Sequence, residues 1–213
     1  MDEITKLHGF FSAVAYGMLR ALVPGGHVFI ASNPLLSSMT FHALQEAGFE
    51  KRGEVIRLVQ TLRGGFKPKG AEDEFPGVSV MPRSCWEPWG IFRKRFDGTI
   101  ADNLRKWGTG GLRRTSTEEP FKDVIVCSPT RGAEKEIAPH PSLKPQRFLR
   151  QVVRASLPLG IGIVYDPFAG SGSTLAAAEA VGYRSIVTDR DPQYFSMARA
   201  AFPKLAALQV KER

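Results

Sequence analysis

With 213 residues, 43% of them hydrophobic and 23% charged, the chain is long enough to bury one good-sized core and too apolar for wholesale disorder. Twenty-nine basic residues against 21 acidic ones leave a net charge of +8, which suits a polyanionic partner and equally a plain cationic surface. Two cysteines, Cys85 and Cys127, make neither a disulfide framework nor a metal spacing, and His8, His27, His42 and His140 are too scattered to pair as ligands; reduced thiols, a cytoplasmic location and no metal are expected. The apolar run Leu7–Val23 is short for a bilayer span and is broken by Gly9, Gly17 and Arg20, and Met1-Asp2-Glu3 lacks a basic leader, so no membrane association is expected.

In chain order, Leu7, Phe10, Phe11, Val14, Met18 and Leu22 fall at helical spacing and predict an amphipathic helix over 4–22, stopped by Pro24-Gly25-Gly26. A buried strand follows at His27–Ser32, then a helix at Leu36–Ala47 closed by Gly48, then an alternating strand at Gly53–Thr61. From Arg63 to Thr117 glycine, proline and charge dominate, with a strand candidate at Trp89–Arg95 and a helical stretch near Ile100–Lys106. Arg63, Lys67, Lys69, Arg83, Arg93, Lys94, Arg95, Arg105, Lys106, Arg113 and Arg114 are interleaved there with Phe66, Phe75, Trp86, Trp89, Phe96 and Trp107. Such mixing suits contact with phosphates and bases, and also a solvated insertion whose aromatics pack inward. Val124–Cys127 reads as a short strand. Helix (Gln146–Ser156), strand (Ile161–Tyr165), helix (Ser173–Val181), strand (Arg184–Thr188) and a final helix from Pro192 complete an α/β pattern.

The strongest motif is Asp166-Pro167-Phe168-Ala169-Gly170-Ser171-Gly172-Ser173-Thr174, between a predicted strand and a predicted helix. Glycines permit a tight turn and close approach of a ligand to the main chain. The following helix directs its first N–H groups and positive dipole end at an anionic group such as a carboxylate. Asp166 can accept hydrogen bonds from an ammonium group, and Asp189, about 20 residues on at the next strand end, can hold ribose hydroxyls. A phosphate-cradling loop would need a lysine before Ser173-Thr174, and a dinucleotide fingerprint would need glycine where Leu175 stands.

This segment resembles the cofactor motif of S-adenosylmethionine-dependent DNA amino-methyltransferases, which act on adenine N6 or cytosine N4. His140-Pro141-Ser142-Leu143-Lys144-Pro145 resembles the family's partner motif, although alone it would read as a helix cap with Ser142 at the N-cap. Asp189-Arg190-Asp191 with Tyr194 resembles its ribose-binding segment, and Trp86-Glu87-Pro88 and Asn103–Leu112 are similar to segments of phage-type and prophage-type members. The order is that of the circularly permuted β class. The resemblance implies one methyltransferase domain over 1–213, a Rossmann-like sheet with helices on both faces. Within it, 1–62 would be part of the catalytic half, 63–117 a target-recognition insertion and 138–213 the cofactor half. It places Ser142, Lys144, Asp166, Phe168, Gly170, Ser171, Gly172 and Thr174 around the methionine moiety of S-adenosylmethionine and Asp189 at the ribose. Double-stranded DNA is the implied partner, with adenine favoured by the phage-type resemblance. Cytosine N4 methylation is the alternative, as is a non-catalytic DNA- or cofactor-binding remnant.

Family members draw the amine's hydrogens onto an Asp, Asn or Ser followed by Pro-Pro and an aromatic. No double proline occurs in this chain: Asn33-Pro34-Leu35, Asp166-Pro167-Phe168 and Asp191-Pro192-Gln193 each carry one. No residue is therefore assigned to catalysis. One central strand at the N-terminus is expected to be missing, so that Ile161–Tyr165 stands beside a gap or pairs with Val28–Ala31. In the family order the motif would lie upstream of Met1, and the chain is expected to be inactive alone, as a truncated reading frame, a fragment needing a partner that supplies the motif, or a degenerate prophage remnant. A cytosine-C5 enzyme would need a cysteine after proline, whereas Cys85 follows Ser84 and Cys127 follows Val126.

Overall fold

A computed structural model describes residues 3–59, 64–130 and 132–210. The elements run α1 (Glu3–Ala21), β1 (His27–Ala31), α2 (Ser37–Glu46), β2 (Glu50–Leu58), β3 (Trp86–Arg93), α3 (Ile100–Trp107) and β4 (Val124–Val126). They continue as α4 (Ala133–Ile137), α5 (Gln146–Ser156), β5 (Ile163–Asp166), α6 (Ser173–Ala180), β6 (Arg184–Val187) and α7 (Pro192–Ala206). The expected strand over 53–61 begins earlier, at Glu50, with a bulge between Lys51 and Gly53; Thr61 and Arg63 lie outside the described residues.

Four strands form one sheet in the order β1-β3-β2-β4. β3 lies between β1 and β2, antiparallel to both, and β4 joins β2 in parallel. Within 63–117, Trp86–Arg93 is strand β3 of the sheet, while the described parts of the stretch before and after it lie outside the sheet. β5 and β6 form a separate parallel pair. Among the described residues β5 has no strand partner but β6, and β1 none but β3, so the direct pairing of Ile161–Tyr165 with Val28–Ala31 does not form.

Side chains of β3 alternate across the sheet, as the period of two requires. Trp89 and Ile91 face a cluster with Val55, Phe148, Leu149, Val152, Val153, Ala177 and Tyr183. Phe92 faces the opposite cluster, with Ala15, Val28, Phe41 and Leu44 from α1, β1 and α2. Helices therefore cover both faces, as expected of an α/β sheet. The first cluster holds the two sheets together: Phe29 and Ala31 of β1 and Val164 of β5 pack against it. The other face of the β5–β6 pair is open, with Ile163, Tyr165 and Ile186 exposed.

Local chemistry sets the helix ends. Thr99 caps α3 by accepting the Asp102 amide at 3.2 Å, and Gly108 closes the helix in the left-handed region. Asp191 caps α7 by accepting the Gln193 amide at 2.8 Å. Ser142, the N-cap candidate of this stretch read alone, does not cap α5, which starts four residues later, after Pro145. Its first amide, that of Gln146, instead donates to the Glu134 carboxylate at 2.9 Å. Glu134 belongs to α4, a short helix that the sequence pattern does not announce. Asn103, buried within α3, donates to the carbonyls of Pro24 (3.1 Å) and Thr109 (2.8 Å) and so ties the 108–110 turn to the end of α1.

His27 opens β1 with its Nδ1 shut off from solvent and without a hydrogen-bond partner. Burial, reinforced by the positive charges of Arg93 and Arg52, lowers its pKa from 6.5 to about 4. The unfolded chain then binds the extra proton between those values, so stability falls as pH drops from about 6.5 toward 4. Urea unfolding should show this loss, on the order of 2 kcal/mol, and His27→Phe should flatten that part of the pH profile.

Candidate cofactor site

β5 ends on Asp166 and β6 on Val187, in parallel register, so the turn after β5 and the segment Thr188–Asp191 leave the sheet side by side. The Thr188 amide donates to the Asp166 carbonyl at 2.9 Å, and the Ala169 amide donates to the Thr188 carbonyl at 2.9 Å. Asp189 fastens the two segments with its side chain. One carboxylate oxygen accepts the Asp191 amide at 2.9 Å and the other the Gly170 amide at 2.7 Å. These amides, with the nearby charge of Arg190, hold its carboxyl below the usual carboxylate range. Asp166 accepts the Phe168 amide at 2.9 Å through Oδ1.

Gly170 and Gly172 both have positive φ, +50° and +76°. Their missing Cβ atoms, however, serve packing. A Cβ on Gly170 would stand 3.1 Å from the His140 ring, and one on Gly172 would stand 3.0–3.2 Å from atoms of Ala198 on α7. α6 starts at Ser173 without a side-chain cap. The buried Ser171 and Ser173 hydroxyls share a hydrogen bond of 2.9 Å.

The segment 140–146 closes over this turn. His140 meets Tyr194 edge-on at 4.4 Å between ring centroids, and its Nδ1 accepts the Ser142 amide at 3.1 Å. The Lys144 amide donates to Ser173 Oγ at 3.4 Å, and the fully buried Gln146 donates to the Ser173 carbonyl at 2.9 Å. The nine expected residues thus gather around one turn, with differences of detail. Ser142 is exposed at the rim, Thr174 is half-buried, and Phe168 is exposed with its ring 6.1 Å from Phe10 of α1. The Lys144 ammonium is held by Glu87 at 2.6 Å. His140, Gln146, Glu87 and Arg57 belong to the same constellation, although sequence reasoning gave them no role there. Only the alternation in β2, which sets Arg57 on the same face as Val55 and Val59, hinted that a charge was buried.

The basic and aromatic stretch divides. Trp89 and Arg93 are buried, and Arg93 pairs with Glu50 at 2.7 Å and stacks on Phe96, so neither faces a ligand. Phe66, Lys67, Lys69, Phe75 and Arg83 in the β2–β3 connection are exposed, as are Trp86 and Trp107. A cleft away from this turn lies between Leu104, Arg113, Arg154 and Leu159. Its arginines are already engaged, Arg113 with the Tyr183 hydroxyl and Arg154 with backbone carbonyls. Among the described residues no helix is long and apolar enough to cross a membrane, and no group of three or more His, Cys, Asp or Glu is placed to hold a metal ion.

Residues 82–200, more than half of the chain, match the model of a family described as DNA methylase, covering N6 and N4 methyltransferases. The type II methyltransferase M2.DpnII of Streptococcus pneumoniae is 34% identical over 88 residues, 41% of this chain and 32% of that protein. The type II methyltransferase M2.LlaDCHI of Lactococcus lactis subsp. cremoris is 34% identical over 93 residues, 44% of this chain and 34% of that protein. The matched stretches thus span about a third of each relative. The crystal structure of the M1.HpyAVI–SAM complex superposes with a TM-score of 0.67 at 18% identity, over 98% of this chain and 85% of that one. The cytosine-N4-specific PvuII DNA methyltransferase superposes at 0.64 and 14% identity, over 100% of this chain and 74% of that one. The chain belongs to the DNA methylase family.

Two measurements probe the turn. Gly172→Ala should cost about 1–3 kcal/mol, read as a lower urea midpoint, because alanine at positive φ is strained and its Cβ meets α7. Asp189 adds stability that is present above the ordinary carboxylate pKa and lost as pH falls through its lowered value in the folded protein. Asp189→Asn should therefore abolish that acid-side loss and speed amide exchange at Gly170, followed by NMR.

Proposed function

We propose that this chain is the cofactor-binding and DNA-facing body of an S-adenosylmethionine-dependent DNA amino-methyltransferase that acts on a base flipped out of the duplex, with adenine N6 as its target. The observation that carries the reading is the pair of acids, Asp166 and Asp189, at the ends of adjacent parallel strands around one glycine turn. The donor set fits the cofactor. Asp166 has a second oxygen with no hydrogen bond among the described residues, suited to the ammonium group. The uncapped first turn of α6 suits the carboxylate, and Asp189 keeps lone pairs for ribose hydroxyls beyond its two amide bonds. Ser142, Phe168, Gly170, Ser171, Gly172 and Thr174 line the same turn, and 138–213 forms the cofactor half. When bound, the cofactor supplies an electrophilic methyl group. The exposed Phe66, Lys67, Lys69, Phe75 and Arg83 supply aromatic faces and positive charge for the DNA. Preference for adenine rests on the phage-type likeness of Trp86-Glu87-Pro88 and Asn103–Leu112.

An exocyclic amine has its lone pair delocalised into the ring, so its hydrogens must be drawn onto acceptors as the methyl group arrives. No double-proline acceptor motif stands in these 213 residues. Among the described residues β1 and β5 each have one edge without a strand partner, and both adjoin one core cluster, which suits a further strand there. The reading therefore includes a further segment, whether of this chain or of a partner, that brings the motif on such a strand.

Incubation with labelled cofactor and mixed-sequence DNA tests this. The 213-residue protein should bind cofactor and DNA, the latter with strong salt dependence, yet transfer no label. Adding a fragment that bears the double-proline strand should restore transfer to adenine. Transfer by the chain alone would overturn the fragment requirement, transfer to cytosine would overturn the target, and absence of cofactor binding would overturn the reading of the site.

A further inference from the structure

The ammonium of Lys144, which family resemblance would direct to the cofactor, is 2.6 Å from Glu87 Oε1. Glu87 Oε2 is 2.8 Å from Nη1 of Arg57, whose side chain is only 6% exposed, and Nη2 of that arginine donates to the Ser128 carbonyl at 3.1 Å. A buried guanidinium is tolerable only with a paired anion, so Arg57 fixes Glu87 in place. Arg57 and Glu87 are also register partners across β2 and β3, at the base of the connection that carries the exposed basic and aromatic residues. The remaining oxygen of Glu87 reaches Lys144, whose own amide donates to Ser173 at the start of α6. The rings beneath complete the seat: Lys144 lies over Trp89 and Arg57 over Phe148.

We propose that Glu87 is a positioning residue of the cofactor site. It takes the Lys144 ammonium away from the ligand and uses it to hold segment 142–146 against the uncapped start of α6. On this view Lys144 acts by shaping the turn. The proposal rests on the reading of that turn as the cofactor site, and it assigns a role to a residue of the β2–β3 hairpin outside both cofactor motifs.

Glu87→Gln, Lys144→Met, the double variant and Lys144→Arg test it, with S-adenosylmethionine titrated calorimetrically and amide exchange followed on the protein without cofactor. Glu87→Gln and Lys144→Met should each weaken binding roughly tenfold, the scale of one charge-assisted hydrogen bond. The double variant should be no worse than the weaker single one, because both remove the same tie. Lys144→Arg keeps the cation and should bind within about twofold of wild type. Exchange at the Lys144 amide and the first turn of α6 should quicken in Glu87→Gln and Lys144→Met while β3 stays protected. Lys144→Met leaves the Arg57–Glu87 pair intact, so it reports on the tie even if Glu87→Gln fails to fold. Wild-type affinity in Glu87→Gln, or additive losses in the double variant, would show Lys144 acting on the cofactor directly and would overturn the proposal. If wild type binds no cofactor, the reading of the site fails, while unchanged exchange in Lys144→Met would independently sink the role of Glu87.

Discussion

Burying the Arg57 guanidinium is the constraint on which much of the architecture turns. Taking such a cation out of water costs several kcal/mol unless an anion and further hydrogen bonds meet it. Glu87 meets it from the neighbouring strand and Ser128 from the segment after β4. β2, β3 and the β4 end are thereby held in one register at the edge of the first sheet. Because one carboxylate has two oxygens, the same residue can reach Lys144, and the four-stranded sheet gains a polar link to the turn after β5.

That link matters because the two sheets share no backbone hydrogen bonds among the described residues. What joins them is apolar packing through α5 together with directed polar bonds, among them Lys144 to Glu87, Gln146 to Ser173 and Arg113 to Tyr183. Apolar packing is non-directional and supplies cohesion, whereas the hydrogen bonds supply register. The Gln146 amide in turn leans on Glu134, whose carboxyl burial pushes upward in pKa. Consecutive residues 144–146 are thus fixed from the hairpin, from α6 and from α4. A site built this way is positioned by elements distant in sequence, each supplying one or two directed bonds.

Most elements were legible from the sequence because their signals are local. Helical spacing, the Pro24-Gly25-Gly26 stop, and the strand–glycine turn–helix pattern at 163–180 all depend on neighbours within a few residues. α4 was not legible: five residues are too short for a periodic signal, and the helix is held by contacts with α7, by Ile137 packing on the adjoining cluster and by its bond to Gln146. The placement of β3 inside the sheet was equally hidden. Glycine, proline and charge around it suggest an excursion, whereas β1 and β2 pair with its two edges and Trp89, Ile91 and Phe92 are buried by α5 on one face and by α1 and α2 on the other. The glycines of the turn were recognised for their freedom at positive φ. That their bare faces serve His140 and α7 depends on residues 26 or more positions away, beyond the reach of any local pattern.

Charge shows the same limit in sharper form. Sequence reading set Arg93 and Arg83 side by side as candidate DNA contacts, because composition cannot distinguish a guanidinium on a central strand from one on a loop. The structure separates them: Arg93 is spent on Glu50, Gly110 and Phe96, and Arg83 is exposed. Arg57 lies near the end of one strand of the same hairpin and is buried as deeply as Arg93. Its burial makes it useless for gripping a phosphate and well suited to fixing Glu87. The hairpin therefore divides its charges by position, with exposed cations on the connecting segment and a paired cation at its base. The paired one is linked through Glu87 and Lys144 to the start of α6, so the exposed connecting segment and the turn after β5 are anchored to a single carboxylate.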